Sequence, residues 1–464
     1  NLHSVSSKSY EYQIQVNFDP GEKKIICSQR VKLRNNSSQE YTELFFHIYP
    51  NVFKTADSAP FPKADMSRAY PEGFAPGYMI IHNISGNGEP LSYEIDDTIL
   101  KVKLTRVLKP GKWITIDIDF TDIIPPSYGR YGYGKNTFNI GNWYPILAVY
   151  DERGWNKDPY YAVGDPFYSD VATYRVSILA PEGYTIAATG SLEEKKKQGQ
   201  YVNWAFTAGL VRDFAWVASD GFEVATKTVG DTRLAAYYMK PDVEAGKKAL
   251  EVGASALEFF NEYFGQYPYK DYAVVASDFY IGGMEYPNLV MIGRQLYSYS
   301  DDLEYVVAHE TAHQWWYGVV GNNEVKEPWL DEALTEYSTV LYYEHKYGRE
   351  KGEEIYDKMI YKPYAVYEAT RGAGAILRSL DQFSDWMEYS AMIYSRGAIM
   401  FKKLEAKIGK DTLHKALRFY YRENMYKNAT TSDFIKAINR ASGVDWSGYI
   451  YKWLQGTEPL QQAA

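Results

Sequence analysis

The feature that most limits what this chain can become is a change of hydrophobic period partway along it. From residue 10 to about 228 apolar side chains recur at every second position, as in Tyr10-Glu-Tyr-Gln-Ile-Gln-Val-Asn-Phe18, Trp113-Ile-Thr-Ile-Asp-Ile-Asp-Phe120 and Tyr174-Arg-Val-Ser-Ile-Leu179. A period of two sends alternate side chains to opposite faces of a strand, one buried and one wet. Turn formers such as Asp19-Pro-Gly21 and Lys109-Pro-Gly111 separate the runs, so residues 1–230 are expected to form an antiparallel β-sandwich. Tyr150 to Asp170 is long, aromatic and rich in turn formers, the mark of a functional loop rather than a plain connection. Glu193-Glu-Lys-Lys-Lys197 reads as a solvated hairpin tip.

Past Thr232-Arg-Leu-Ala-Ala-Tyr-Tyr238 the spacing becomes helical. Val243, Ala249, Leu250, Leu257, Phe260 and Phe264 predict a helix over 242–264, Tyr272–Tyr280 a strand, and nearly everything from Asp301 onward helix. Residues 231–464 therefore read as a second, mostly helical domain, in keeping with a length of 464 residues.

Composition narrows the partners. Hydrophobic residues are 45% and charged residues 23% of the chain, the balance of a soluble globular protein. A net charge of −9 with both signs interspersed offers no basic field for a phosphate backbone, which argues against nucleic acid. No run of eighteen apolar residues suggests a transmembrane span, and the start, NLHSVSSKSY, reads as a mature or trimmed form. Cys27 is alone, compatible with an extracytoplasmic protein after removal of an N-terminal segment and equally with a cytoplasmic one. Oligomeric state is not encoded in any pattern found. The 45 tyrosines fit amphipathic strands better than aromatic grooves.

Only seven histidines occur, yet two stand four apart in Val306-Val-Ala-His-Glu-Thr-Ala-His-Gln-Trp-Trp316. Asp301-Asp-Leu-Glu304 is a capping-box pattern just before this run, so a helix should start there. On a helix His309 and His313 share a face and can bind one ion. Pro328-Trp-Leu-Asp-Glu-Ala-Leu-Thr-Glu-Tyr337 opens a second helical pattern, and an antiparallel arrangement would deliver Glu332 as the third ligand. Two histidines, a glutamate and a water make the open coordination of catalytic rather than structural zinc. Zinc lowers the pKa of its water to about 7 and polarises a carbonyl, so the neighbouring Glu310 is placed as general base. Glu336 reads as a surface or outer carboxylate. His3, His47, His82, His345 and His414 have no ligand spacing and read as structural or surface residues.

These residues resemble the gluzincin zinc aminopeptidases, the family of aminopeptidase N and leukotriene hydrolase. The family signature, His-Glu-x-x-His followed by eighteen residues and Glu, is matched by His309-Glu-Thr-Ala-His313 and Glu332. Gly282-Gly-Met-Glu-Tyr-Pro287 resembles the family's Gly-x-Met-Glu-Asn edge strand, and Tyr394-Ser-Arg-Gly-Ala398 its Tyr-x-Lys-Gly-Ala. Ser442-Gly443 and Trp453-Leu-Gln-Gly-Thr-Glu-Pro459 resemble the close of its catalytic domain. The resemblance implies a saddle-like β domain, a thermolysin-like catalytic domain and one Zn2+ per chain. It implies hydrolysis of the N-terminal bond of peptides that have a free amine. Glu285, with Gly282, Gly283 and Met284, would then bind that end of the substrate, and Tyr394 would hydrogen-bond the oxyanion, stabilising the transition state rather than the substrate. Tyr286 stands where the family has asparagine, and the β domain's further amine-binding residue has no recognisable counterpart, Asn139-Ile-Gly-Asn-Trp-Tyr-Pro145 occupying that place. The family's helical C-terminal domain is missing from the sequence, which implies a short form with a more open cleft. An endopeptidase of the same zinc class, and a peptide-binding scaffold with weak catalysis, are the alternatives.

Overall fold

A computed structural model describes residues 8–298 and 301–460, without the side chain of Asp301. His3 and the capping role expected of Asp301 lie outside the described residues. The chain forms two compact units: Asn1–Ala162, Ser169–Leu250 and Tyr269–Leu303 make one, and Val163–Tyr168, Glu251–Pro268 and Glu304–Ala464 the other.

In the first unit the alternating segments become strands with the expected inside and outside. Lys24–Arg34 buries every second residue, and Cys27 sits opposite Val16 on one neighbour and Phe120 on the other. The largest sheet has eight strands, running from Ser191–Gln198 at one edge through Tyr201–Val211, Ala172–Pro181, Tyr10–Asp19, Lys24–Arg34, Trp113–Ile123 and Tyr78–Gly86 to Glu89–Pro90. It departs from the all-antiparallel expectation in one place: Tyr10–Asp19 pairs parallel with Ala172–Pro181. Those strands lie more than 150 residues apart in sequence, and no local signal sets the direction of a pairing that distant. Glu193–Lys197 is also not a tip but the body of the edge strand Ser191–Gln198, where a row of charges guards open backbone groups. Two four-stranded sheets contribute to the same unit, whose core holds Phe18, Trp143, Tyr144, Tyr174 and Trp216. Tyr12 stacks on Tyr174 at 4.8 Å, and the Tyr144 and Tyr174 hydroxyls lie 2.6 Å apart. Many tyrosines thus fill the interior rather than line grooves.

A five-stranded sheet follows in the order Phe222–Val229, Thr232–Met239, Asp271–Ser277, Leu289–Gly293, Gly283–Met284. Its three central strands are parallel and both edges antiparallel. Helix α1, Val243–Tyr263, lies between two of the parallel strands in sequence, as a crossover requires.

The second unit is mostly helical: α2 (Asp301–Ala312, from Glu304 on), α3 (Trp329–Tyr347), α4 (Lys362–Arg371), α5 (Gly397–Ile408) and α6 (Ser447–Leu454) are its main elements for the site, and further helices include Arg349–Tyr356, Lys410–Asn424 and Thr431–Ser442. A many-stranded N-terminal β region followed by a helical region is therefore the architecture. No helix among the described residues is long and apolar enough to cross a membrane.

Candidate metal centre

Helices α2 and α3 are antiparallel, and contacts at both ends show it. Glu304, near the start of α2, receives hydrogen bonds from Tyr342 Oη (2.9 Å), Lys346 Nζ (2.8 Å) and Tyr347 Oη (2.7 Å) at the end of α3. Burial pushes the Glu304 pKa up, but these donors and the Lys346 charge overcome it and hold the carboxyl below its usual value. At the opposite end His313, just past α2, meets Glu332 in the first turn of α3. The connection between them is buried and tied down. Asn322 Nδ2 donates to Glu327 O at 3.1 Å and Asp331 Oδ1 at 3.2 Å, while Asn323 Oδ1 accepts the backbone N–H groups of Val325 and Lys326. Pro328 precedes α3 directly, so the helix begins where a missing N–H costs nothing.

This frame brings His309, His313 and Glu332 together, with one ligand atom of each within 4.8 Å of the others. Both imidazoles present Nε2 to the same atom: Glu332 Oε2 is 3.3 Å from His309 and 3.1 Å from His313. The opposite ring nitrogens are held from behind. His313 Nδ1 lies 2.9 Å from Trp316 O and 3.2 Å from Thr335 Oγ1; His309 Nδ1 lies 2.8 Å from Glu336 Oε1. These neighbours at Nδ1 orient the two rings so that both Nε2 atoms face one spot, the orientation a pair of histidine ligands needs once a metal displaces any proton there. The residues therefore fit a divalent cation of zinc's preferences, with two nitrogens and a carboxylate oxygen as donors.

Burial opposes charge on His309, yet the Glu332 and Glu336 carboxylates outweigh it and push its pKa up to about 10. Burial likewise works against an ionised Glu332, but the two imidazoles bring its carboxyl well below the usual range. Asp331, beside it, is pushed up to about 6 by burial and then by the Glu332 charge.

Glu310 is buried on the same helix. Tyr394 stacks on His309 with ring centroids 6.1 Å apart and planes 14° from parallel, and Tyr389 meets Tyr394 edge-on at 5.8 Å. Tyr394 rides on a π-helical turn, Ser390–Arg396, of the kind often found at functional sites. The glycine of its motif has a steric cause: a Cβ on Gly397 would sit 2.4 Å from the Cβ of Ala333, the neighbour of Glu332. Only glycine lets α5 lie that close to α3.

Glu285 belongs to the first unit, buried just beyond the edge strand Gly283–Met284, which pairs with Leu289–Gly293; Gly282 N-terminally flanks that strand. Arg130 Nε donates to Met284 Sδ at 3.1 Å. Tyr286, the departure from the family pattern, is fully buried and donates to Asn142 Oδ1 at 2.6 Å. Asn142 itself has φ +51, and a Cβ on Gly141 would lie 2.1 Å from the Tyr286 hydroxyl. Tyrosine here is thus a packing residue matched by Gly141-Asn142.

Of the two places the sequence left open for Glu336, the structure shows the outer one: it is buried behind His309 rather than on the surface. Tyr305, whose Oη donates to Glu336 Oε2 at 2.7 Å, escaped sequence reasoning. The signal was present: Tyr305 precedes His309, and Glu336 follows Glu332, by one helical turn each.

Residues 248–453 match the Peptidase family M1 domain. The chain is 28% identical over 413 residues to Aminopeptidase N of Lactococcus lactis subsp. lactis, covering 81% of this chain and 46% of that protein. It is 21% identical over 308 residues to Probable aminopeptidase 2 of Sulfurisphaera tokodaii, covering 61% of this chain and 38% of that one. The chain thus spans about half the length of the curated relatives it matches. Among solved structures, the M1 zinc metallopeptidase from Deinococcus radiodurans superposes with a TM-score of 0.70 at 16% identity, covering 99% of this chain and 98% of that one.

Proposed function

We propose, from the match of residues 248–453 to the Peptidase family M1 domain, that the chain is a zinc aminopeptidase removing N-terminal residues from peptides. The observation that carries this reading is the convergence of two Nε2 atoms on Glu332, with His313 Nδ1 2.9 Å from Trp316 O and His309 Nδ1 2.8 Å from Glu336 Oε1. One zinc per chain would be held by His309, His313 and Glu332. Bound there, it supplies Lewis acidity, lowering the pKa of water to about 7 and polarising the scissile carbonyl. Glu310 takes the proton of the attacking water and hands it to the leaving amine. Tyr394 donates a hydrogen bond to the oxygen where charge develops, an interaction made in the transition state and worth most in a dry site. Glu285, with Gly282, Gly283 and Met284, captures the ammonium group and so sets the cut one residue in. The same reading divides the chain at 230/231, a β region ahead of the catalytic one.

The test combines metal content with activity on a panel of amino-acid amides, with and without chelator. About one zinc per chain and chelator-sensitive release of free-amine substrates are expected; a metal-free, inactive protein that ignores added zinc would sink the proposal. Glu285→Ala should erase the preference for free-amine over N-acetylated peptides. Cleavage of acetylated peptides by the unaltered protein would point to an endopeptidase instead.

A further inference from the structure

Arg396 is the last residue of the π-helical turn that carries Tyr394, and it is completely buried. Its Nη1 donates to Tyr364 Oη at 2.9 Å and its Nη2 to the backbone oxygen of Glu458 at 2.7 Å. The guanidinium lies over the Trp453 ring at 4.8 Å. The nearest carboxylate, Glu368, is 3.8 Å away and partly exposed, and Nε has no acceptor among the described residues. Burying a full charge with so loose an ionic partner stabilises poorly; an apolar side chain of that volume would serve a core as well or better. What the arginine supplies instead is direction, because its planar fork fixes two acceptors at once.

Those acceptors come from two parts of the chain well separated in sequence from Tyr394. Tyr364 belongs to α4. Glu458 belongs to the tail after α6, the Trp453-Leu-Gln-Gly-Thr-Glu-Pro459 stretch that the zinc chemistry leaves unused. That tail is built to a defined shape. Leu454 O accepts the N–H groups of Ile376 and Leu377 at 2.8 and 3.0 Å, and Thr457 and Glu458 N–H both return to Lys452 O. Gly456 has φ +79, and a Cβ there would come 2.5 Å from the carbonyl carbon of Gly374. The tail is folded back so that the Glu458 carbonyl meets Arg396. On the other side, Gly397 N–H bonds to Met392 O, five residues back, which closes the wide turn and seats Gly397 on Ala333.

We infer that Arg396 is a positioning residue for Tyr394, and that the Trp453–Glu458 tail acts on the chemistry by holding Arg396 and thus the wide turn that aims the phenol. The inference rests on the role proposed for Tyr394. Losing the fork lets the turn relax and the ring leave its stack on His309. A hydroxyl misplaced by about 1 Å costs on the order of 10²-fold in turnover.

The experiment is a double-mutant cycle on the full zinc-loaded chain, using Arg396→Met, Tyr394→Phe and the two combined. Arg396→Met, which removes every donor at similar volume, should lower kcat on the order of 10²-fold with KM and zinc affinity nearly unchanged. In the Tyr394→Phe background the same change should cost almost nothing more, because both act through one hydroxyl. Losses that multiply, or a lowered Tm with unaltered kcat, would reduce Arg396 to a packing residue and overturn the inference. If Arg396→Met does not fold, Tyr364→Phe keeps the ring and removes one acceptor, with a smaller loss of roughly tenfold and the same non-additivity. Crystal structures of the unaltered chain and of whichever variant folds give an answer independent of turnover. A Tyr394 ring displaced from His309 supports the inference, and an unmoved ring refutes it. Should the unaltered zinc-loaded chain cleave nothing, the aminopeptidase reading falls alone, and the ring position still decides the role of Arg396.

Discussion

Two buried imidazoles, one in each unit, show how differently the two regions handle polar groups. His47, at the end of strand Tyr41–His47, stacks flat on Tyr49 at 4.9 Å and has one polar contact, Asn156 O at 3.2 Å from Nε2. Burial pushes its pKa down to about 4, so it is a neutral piece of core. His309 is also buried but has carboxylates near both nitrogens, and its pKa goes the other way. The β region tolerates a polar ring by discharging it. In the helical region polar groups are buried in quantity: α3 is buried from Trp329 to Tyr343, and that stretch includes Asp331, Glu332, Thr335, Glu336, Ser338 and Thr339. Thr339 Oγ1 and Ser338 Oγ satisfy themselves on carbonyls one turn back, and Trp316 Nε1 adds a donor to Ser338. An interior arranged that way is organised around a charge.

The sharpest way to break this contrast is to remove a polar group from each region and ask what fails. Glu310→Gln should lower turnover by about 10²–10⁴-fold or more while zinc stoichiometry and Tm stay near those of the unaltered chain. Retained activity would remove Glu310 from the mechanism. In the β region the largest effect should be on stability instead. Phe120 is fully buried between the strands of Cys27 and Ile81, so Phe120→Ala should cost about 3–5 kcal/mol by denaturant titration. A cost under 1 kcal/mol would mean the sheet interior is not the packed core described.

How much of this could be read from the sequence follows from the same contrast. Alternation in Tyr10–Asp19 and Lys24–Arg34 announced strands and their buried faces, because a half-wet strand leaves a period-two trace. It left open that the first of them pairs parallel with Ala172–Pro181, a matter of topology. The helical region is harder to read by periodicity, since α3 is buried nearly all round and has no wet face to contrast. There the legible signal was chemical: two histidines one turn apart and a glutamate eighteen residues on. Tyr305 and Glu336 carried the same one-turn spacing but ordinary residue types, so their contact became evident only in three dimensions. Arg396 and Gly397 were legible as a motif, whereas the reason for each, the Glu458 carbonyl and the Ala333 Cβ, is a long-range contact.

Acid should separate the two imidazoles in stability. With a folded pKa of about 4 and an unfolded value near 6.5, His47 takes up a proton more readily in the unfolded chain across that window. Its contribution is fully present above about pH 6.5 and is lost as pH falls towards 4, on the order of 3 kcal/mol. Urea midpoints of the unaltered chain and of His47→Phe at pH 7, 5 and 4 check this, the variant being expected to lose less on acidification. Parallel curves would contradict a neutral, buried His47. Glu336→Gln examines the opposite case. It keeps the shape but weakens the acceptor at His309 Nδ1, and chelator competition should show zinc held about 10–100-fold less tightly.

The smallest effect should come from an edge strand whose charges face water. Lys196 lies in the exposed edge strand Ser191–Gln198, where Lys195 rests over the Trp204 ring at 4.3 Å and Lys197 pairs with Glu182 at 2.9 Å. Removing one exposed charge from that row takes away no buried area, so Lys196→Thr should change stability by no more than about 0.5 kcal/mol. The row as a whole has a different task, keeping a second chain from adding to the open edge. Replacing Lys195, Lys196 and Lys197 together by threonine should therefore leave the monomer's unfolding midpoint nearly unchanged while raising concentration-dependent association in light scattering. A triple variant that stays as monodisperse as the unaltered chain would show that something other than these lysines protects the edge.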